Sequence, residues 1–229
     1  MTLPDILILT LISILAGLIT SRLNLTAKAA NVGTQPASAR GWTLLVGSIL
    51  VIYWLQPAIP IRNFDFWLPT ISIALAGLVW AATRPTPTAM AVQDRASAAV
   101  TAGVIIIIGL TRYLAPVCCL TPTRPPSTLI IGGVILLAGG AIVLVARRVA
   151  GLAGVVKAFT LAMILLFILL KAEPLAQAAS AGLRFLTGQA TDLAAATDIR
   201  WLGFSYIAFR LLHSLRDRLS GRLPQVSLQ

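Results

Sequence analysis

The chain has 229 residues, 58% of them hydrophobic and only 11% charged, with a formal net charge of +11. A soluble domain carries about a quarter charged residues, so this composition excludes an ordinary water-soluble globule. The 18 Lys and Arg residues lie mostly between apolar blocks, which fits membrane topology and anionic headgroups; no basic run is interleaved with aromatics on a polar scaffold, which argues against nucleic acid.

Blocks of about 20 apolar residues match the hydrocarbon core of a bilayer when wound as helix. In lipid the backbone must satisfy its own hydrogen bonds, so helices are expected. The alternating segments of a transmembrane barrel are missing. The first block, Leu3 to Thr20, has Asp5 and no Lys or Arg before it, and reads as a retained span, not a signal peptide. Block two runs from Trp42 to Pro57 and block three from Phe66 to Ala82, with Trp67 and Trp80 expected at the headgroup levels. Block four, Ala98 to Leu114, holds the run Val104 to Ile108. The loop after it carries Pro116, Pro122, Pro125 and Pro126 and the adjacent Cys118 and Cys119. These cysteines lack metal-site spacing and read as small soft residues near a helix end.

Block five, Thr128 to Ala146, carries Gly132/Gly133 and Gly139/Gly140. A spacing of seven puts both pairs on one face, where a neighbouring helix is expected to approach closely. Block six runs from Ala158 to Leu170. Between Lys171 and Asp198, Leu175, Ala179, Leu183 and Leu186 recur at helical spacing, with Gln177, Ser180 and Arg184 elsewhere on the wheel. This predicts an amphipathic helix at the membrane interface, and Asp198 is a natural N-cap for block seven, Ile199 to Leu215. The expected fold is all-α: a polytopic bundle of about seven spans plus one interfacial helix. Its organisation is a six-helix bundle over 1–170, an amphipathic segment over 171–198, and a seventh helix with a basic tail over 199–229.

Basic residues orient the bundle. The odd connections carry Arg22, Lys28, Arg40, Arg84, Arg95, Arg147, Arg148 and Lys157, whereas the even ones carry Arg62, Arg112 and Arg124. The positive-inside rule puts the N-terminus outside and the C-terminal tail, with Arg216, Arg218 and Arg222, in the cytoplasm. Cys118 and Cys119 then face the outer side.

Chemistry is sparse. No phosphate loop, HExxH or CxxC occurs, and His213 is the one histidine. The exception is block seven. On a helix Tyr206, Arg210, His213 and Asp217 share one face, opposite Phe204, Ile207, Leu211 and Leu215. Such a stripe in a bundle points to an interior cavity. The competing reading is that Arg210, about a turn and a half from the cytoplasmic end, snorkels to the headgroups. His213 and Asp217, one turn apart, are spaced to pair.

The run Trp201-Leu-Gly-Phe-Ser-Tyr-x-x-Phe-Arg210, followed by Asp217 and Gly221-Arg222-Leu-Pro224, resembles a signature helix of the bacterial membrane-bound O-acyltransferases (MBOAT family). Tyr53-Trp-Leu-Gln-Pro57, Pro60 to Trp67 and Cys118 to Pro126 resemble a bacterial subgroup more loosely. The resemblance implies a polytopic enzyme of the inner or photosynthetic membrane that moves an acyl group from a thioester donor or a membrane partner to a hydroxyl. A family histidine acts as general base. That histidine is expected in a later helix, beyond Gln229, and His213 does not occupy its place. Ser205, Tyr206, Phe209 and Arg210 therefore carry over as cavity architecture, with His213 and Asp217 on the same stripe, and no catalytic residue is assigned. The N-terminal portion of an acyltransferase is the leading expectation. A non-catalytic subunit of a larger respiratory or photosynthetic complex is the alternative, and a transporter or channel the third. The expected partners are membrane lipids and a second chain or larger complex, without nucleic acid; no metal or redox cofactor is indicated.

Overall fold

The structure, a computed structural model, describes residues 39–84, 90–114, 121–149, 153–201 and 203–222. Block one, Cys118 and Cys119, and the end of the tail from residue 223 lie outside them. The described residues form seven α-helices and no strand: α1 Ala39–Leu55, α2 Phe64–Thr83, α3 Val92–Leu110, α4 Thr128–Leu144, α5 Ala153–Lys171, α6 Glu173–Leu186 and α7 Phe204–Leu219. A 3₁₀ turn, Thr111–Tyr113, extends α3, and a π turn, Val145–Val149, extends α4. Two compact units divide the chain within α1; Val46–Leu228 holds all the packing described below.

Four helical segments, Phe64–Thr83, Val92–Tyr113, Thr128–Arg148 and Ala153–Lys171, are long and apolar enough to cross a membrane. Gly41–Leu55 is apolar but shorter. The 16-residue α7 carries Arg210, Arg216, Asp217 and Arg218 and is not among the four.

Two boundaries differ from the sequence expectation. Helix α3 begins at Val92, taking in Asp94 and Arg95, because an acid in the first turn favours the positive end of the helix dipole. Helix α5 begins at Ala153, so Lys157 lies inside it.

Helix α2 is central. It packs against α4, α5 and α7, and 56% of its span is buried, against 11% for α4 and for α5. Its polar residues are satisfied locally: Thr70 and Ser72 donate to the carbonyls of Phe66 and Leu68 four residues back. Tyr53 on α1 hydrogen-bonds Thr70 at 2.6 Å, and Trp201 donates its indole N–H to Ser72 at 2.8 Å. Asp65, fully buried at the start of α2, accepts from the Thr123 amide at 2.9 Å and its hydroxyl at 2.7 Å. That contact ties the loop before α4 to the first turn of α2, where the helix dipole favours a carboxylate.

Trp80 is buried with Ala81, Met90 and Ala146, with the Arg84 guanidinium 5.2 Å from its ring centroid. It fills the packing between α2 and the end of α4, three residues before the last residue of α2. The glycine expectation also changes. A Cβ at Gly132, Gly133, Gly139 or Gly140 would meet nothing within 4 Å. The close approaches come from α2 and α3 to α4: a Cβ at Gly77 would lie 2.8 Å from Ile142 Cδ1, and one at Gly109 would collide with Ile131 Cδ1. Ile131, 1% exposed, keys into the notch that Gly109 leaves.

Association of helices in lipid rests on such packing, since lipid tails are as apolar as Leu. Gly109→Leu and Gly77→Leu should each destabilise the fold by about 1–3 kcal/mol through overpacking, whereas Gly132→Ala and Gly139→Ala should stay within about 0.5 kcal/mol of the parent. Unfolding midpoints in detergent check the contrast.

Candidate functional site

Helix α7 is set by the segment before it. Gly188, at φ 66°, ends α6, and Gly203, also at φ 66°, is the residue from which α7 starts. Both take the left-handed conformation that costs glycine no Cβ clash. Asp198 is not the N-cap of α7; it belongs to a 3₁₀ turn, Ala196–Asp198, and its carboxylate is turned toward α6.

That carboxylate anchors a buried ion pair with Arg184. Oδ2 of Asp198 accepts from Ser180 Oγ at 2.6 Å, Arg184 Nε at 2.9 Å, Arg184 Nη2 at 2.9 Å and the Ala195 amide at 3.1 Å. Ser180, Arg184 and Asp198 are all buried. Burial alone pushes the Asp198 carboxyl up, but the hydrogen bonds from Ser180, Ala195 and Arg184, with the Arg184 charge, hold it below the usual carboxylate range. Further bonds fasten the same segment: Gln177 to the Ala194 carbonyl, Gln56 to the Arg200 carbonyl, and Gln189 to Pro60 and Arg62.

Helix α6 is therefore inverted relative to a helix in water. Its polar residues Ser180 and Arg184 are covered by the returning segment, while Phe185 and Leu186 are 74% and 79% exposed. An outward apolar face is what a lipid environment requires. Together α2, α5, α6 and Trp201 border an open apolar groove of about 600 Å³, with Phe64, Leu68, Leu170 and Leu183 among its walls.

From Gly203 the chain runs back along α5. Phe204 stacks on Phe167 with ring centroids 6.5 Å apart. Phe204 and Ala208 are buried with Met163, and further along Leu215 is buried with Val156 and Val79. The partners on α5 descend as those on α7 ascend, so the two helices are antiparallel and in fixed register. Arg210, two residues beyond Ala208, thus falls near the midpoint of Ala153–Lys171. At about 1.5 Å per residue, each end of α5 is roughly 13 Å away.

The five residues singled out in the sequence fall as follows. Tyr206, Arg210 and His213 are exposed on the side of α7 away from α2 and α5; Ser205 and Asp217 are half-buried at its two ends. The Arg210 guanidinium lies 5.6 Å from the Tyr206 ring centroid, a cation–π contact. His213 and Asp217 form no ion pair. The stripe faces away from the packed side of α7. No group of three or more His, Cys, Asp or Glu among them is arranged to hold a metal ion.

Sequence reading missed the Ser180–Arg184–Asp198 cluster. The signal was present: Ser180 and Arg184 share a face with Ala176, and Asp198 follows within a short return. Polarity alone assigned that face to water.

Compared with models of known families, with curated proteins and with solved structures, the chain matches none.

Arg184→Ala should destabilise the 187–201 segment by about 3–5 kcal/mol, because it leaves a buried carboxylate unpaired. Hydrogen exchange of the Ala194–Ile199 amides reads this directly. The Asp198 carboxyl is a stronger acid folded than unfolded, so its contribution is complete above the unfolded value of about 3.9 and is lost as pH falls through the lower folded value. Protection of these amides should accordingly hold through neutral pH and fall below about pH 4.

Proposed function

We propose that the chain is the N-terminal membrane part of an MBOAT-like O-acyltransferase and does not catalyse transfer by itself. It would lie in a bacterial inner or photosynthetic membrane with about seven spans, α7 and block one among them, the N-terminus outside and the C-terminal tail cytoplasmic. One observation carries the reading. The family-like run from Trp201 to Arg210 leads into α7, the helix that carries Tyr206, Arg210 and His213 on one exposed face and packs Phe204 and Ala208 against Met163 of α5.

In the proposed reaction an acceptor hydroxyl oxygen attacks the carbonyl carbon of an acyl thioester. The new C–O bond forms, the C–S bond breaks, the thiolate leaves, and a general base takes the hydroxyl proton. Arg210 and Tyr206 would shape and polarise the cavity around the reacting carbonyl. The base would come from outside the 229 residues, since His213 is their single histidine and the resemblance gives it no catalytic place.

The test is acyl transfer from a thioester donor to a hydroxyl acceptor in liposomes, with the chain alone and together with any partner polypeptide encoded downstream. The expected result is no transfer alone and transfer in combination, lowered about 10- to 100-fold by Arg210→Ala through misplaced substrate. Transfer by the 229 residues alone would contradict the missing base. No transfer in any combination would favour the alternative of a structural subunit, and ion or solute flux sensitive to Arg210→Ala would favour a transporter.

A further inference from the structure

Helices α5 and α7 carry the same pattern on one side of their shared seam. Residues seven apart complete two helical turns and share a face. On α5 this aligns Lys157 with Ile164, and on α7 it aligns Arg216 with Phe209. The two helices are antiparallel, so the residues that follow a contact residue on each of them emerge on the same side of the pair. Lys157 follows Val156 and Arg216 follows Leu215, and Val156 and Leu215 are buried together. The rings of Phe167 and Phe209, with centroids 5.7 Å apart, meet on that same side.

Lys157, His213 and Arg216 are exposed. Ile164 is 41% exposed and Phe209, despite its contact with Phe167, 55%. Basic side chains therefore stand at one end of a seam that leads over two turns to apolar ones. That end is also an end of the bundle. Arg147 and Arg148 are exposed where the segment Thr128–Arg148 stops, and Lys157 lies early in Ala153–Lys171. Trp80 and Val79, adjacent on α2, are buried with Ala146 and Val156 respectively, which brings the ends of α4 and α5 together there.

The chain holds little to neutralise these cations. Helix α4, its π turn and α5 contain no Asp or Glu. Asp217, the one acid of α7, is turned about 100° from Arg216, onto the face that carries Arg210. Asp94 is buried at the start of α3. Residues 1–38 bring Asp5 against Arg22 and Lys28, and the other undescribed stretches carry no charged residue. The counter-charge has to come from outside the chain.

Beside segments of membrane-spanning length, an anion continuous with hydrocarbon is an acidic lipid. We infer that the α5–α7 seam holds an anionic phospholipid, its phosphate among Lys157, His213 and Arg216 and an acyl chain along Ile164 and Phe209. The phosphate accepts charge-assisted hydrogen bonds from the cations, and the acyl chain covers the apolar turns. Seven residues at about 1.5 Å each put Ile164 roughly 10 Å from the level of Lys157, well within the reach of an acyl chain. Acyl transfer is not needed for this site, because the register of α5 and α7 alone defines it.

The experiment places the photo-crosslinker benzoylphenylalanine at position 164 of the full chain, with position 136, on the 77% exposed Leu136 of α4, as the control. Photolysis in the native membrane should give lipid adducts at 164. The purified protein is then photolysed in vesicles of equal parts phosphatidylglycerol and phosphatidylcholine, and mass spectrometry reads the headgroups of the adducts. Phosphatidylglycerol should exceed phosphatidylcholine about threefold or more at 164 and match the bulk ratio at 136. Lys157→Gln with Arg216→Gln should return 164 to the bulk ratio. Salt at about 0.5 M, which screens the same charges without any substitution, should lower the enrichment too. Arg62→Gln with Arg124→Gln removes equal charge from exposed positions at the other end of the bundle and should leave the enrichment intact.

Equal headgroup ratios at 164 and 136 would overturn the inference. So would an enrichment that survives the loss of Lys157 and Arg216. Polypeptide adducts at 164 in the native membrane, whether with a second copy, an acidic partner or residues 1–38 of the same chain, would overturn it as well.

Discussion

The hydrogen bonds and ion pair gathered on the buried Asp198 carboxylate decide where the last helix lies. That contact governs the arrangement of α6 and α7. Phe204, Ala208 and Leu215 of α7 pack on Phe167, Met163 and Val156 of α5, which sets Arg210 beside the middle of α5. The position of those three residues is in turn decided upstream. Asp198 fastens the returning segment to α6, and Trp201 hydrogen-bonds Ser72 on α2. The left-handed Gly203 then starts α7 antiparallel to α5. A buried polar clamp thus aims a polar helix along the apolar α5.

The same logic explains the inverted α6. In water, burying Ser180 and Arg184 while exposing Phe185 and Leu186 would be unfavourable on both counts. In a membrane setting the cost of the outward apolar face disappears. Burying a charge remains expensive, and it is met here by four donors on one carboxylate oxygen.

Hydropathy read in sequence located α2, α3, α4 and α5 well, because length and apolarity are local properties that one pass along the chain records. What pairs with what was not legible. The glycine pairs of α4 looked like a packing seam, yet Gly77 and Gly109 make the close approaches. Which glycine meets a neighbour depends on helix rotation, and nearly every face of α4 is apolar. Trp80, expected at a headgroup level, also packs against Met90 and Ala146, a contact that residue type alone does not announce. Asp198 had the residue type of an N-cap, but a buried Arg184 outcompeted the local backbone for its carboxylate. The stripe of Tyr206, Arg210 and His213 was visible from spacing. Its position along α5 was not, because that register is a contact between residues about 40 or more positions apart in the chain.

The most direct test is the depth of α7 in a bilayer. Single spin labels at positions 206, 209 and 213, in a chain with Cys118→Ser and Cys119→Ser, would be measured in nanodiscs for collision with oxygen and with a water-soluble nickel chelate. If α7 runs beside α5, depth should change steadily from 206 to 213 and position 209 should lie close to the bilayer centre. Labels at all three positions reporting one shallow headgroup depth would mean that α7 lies flat on the surface, and would contradict a mid-membrane Arg210.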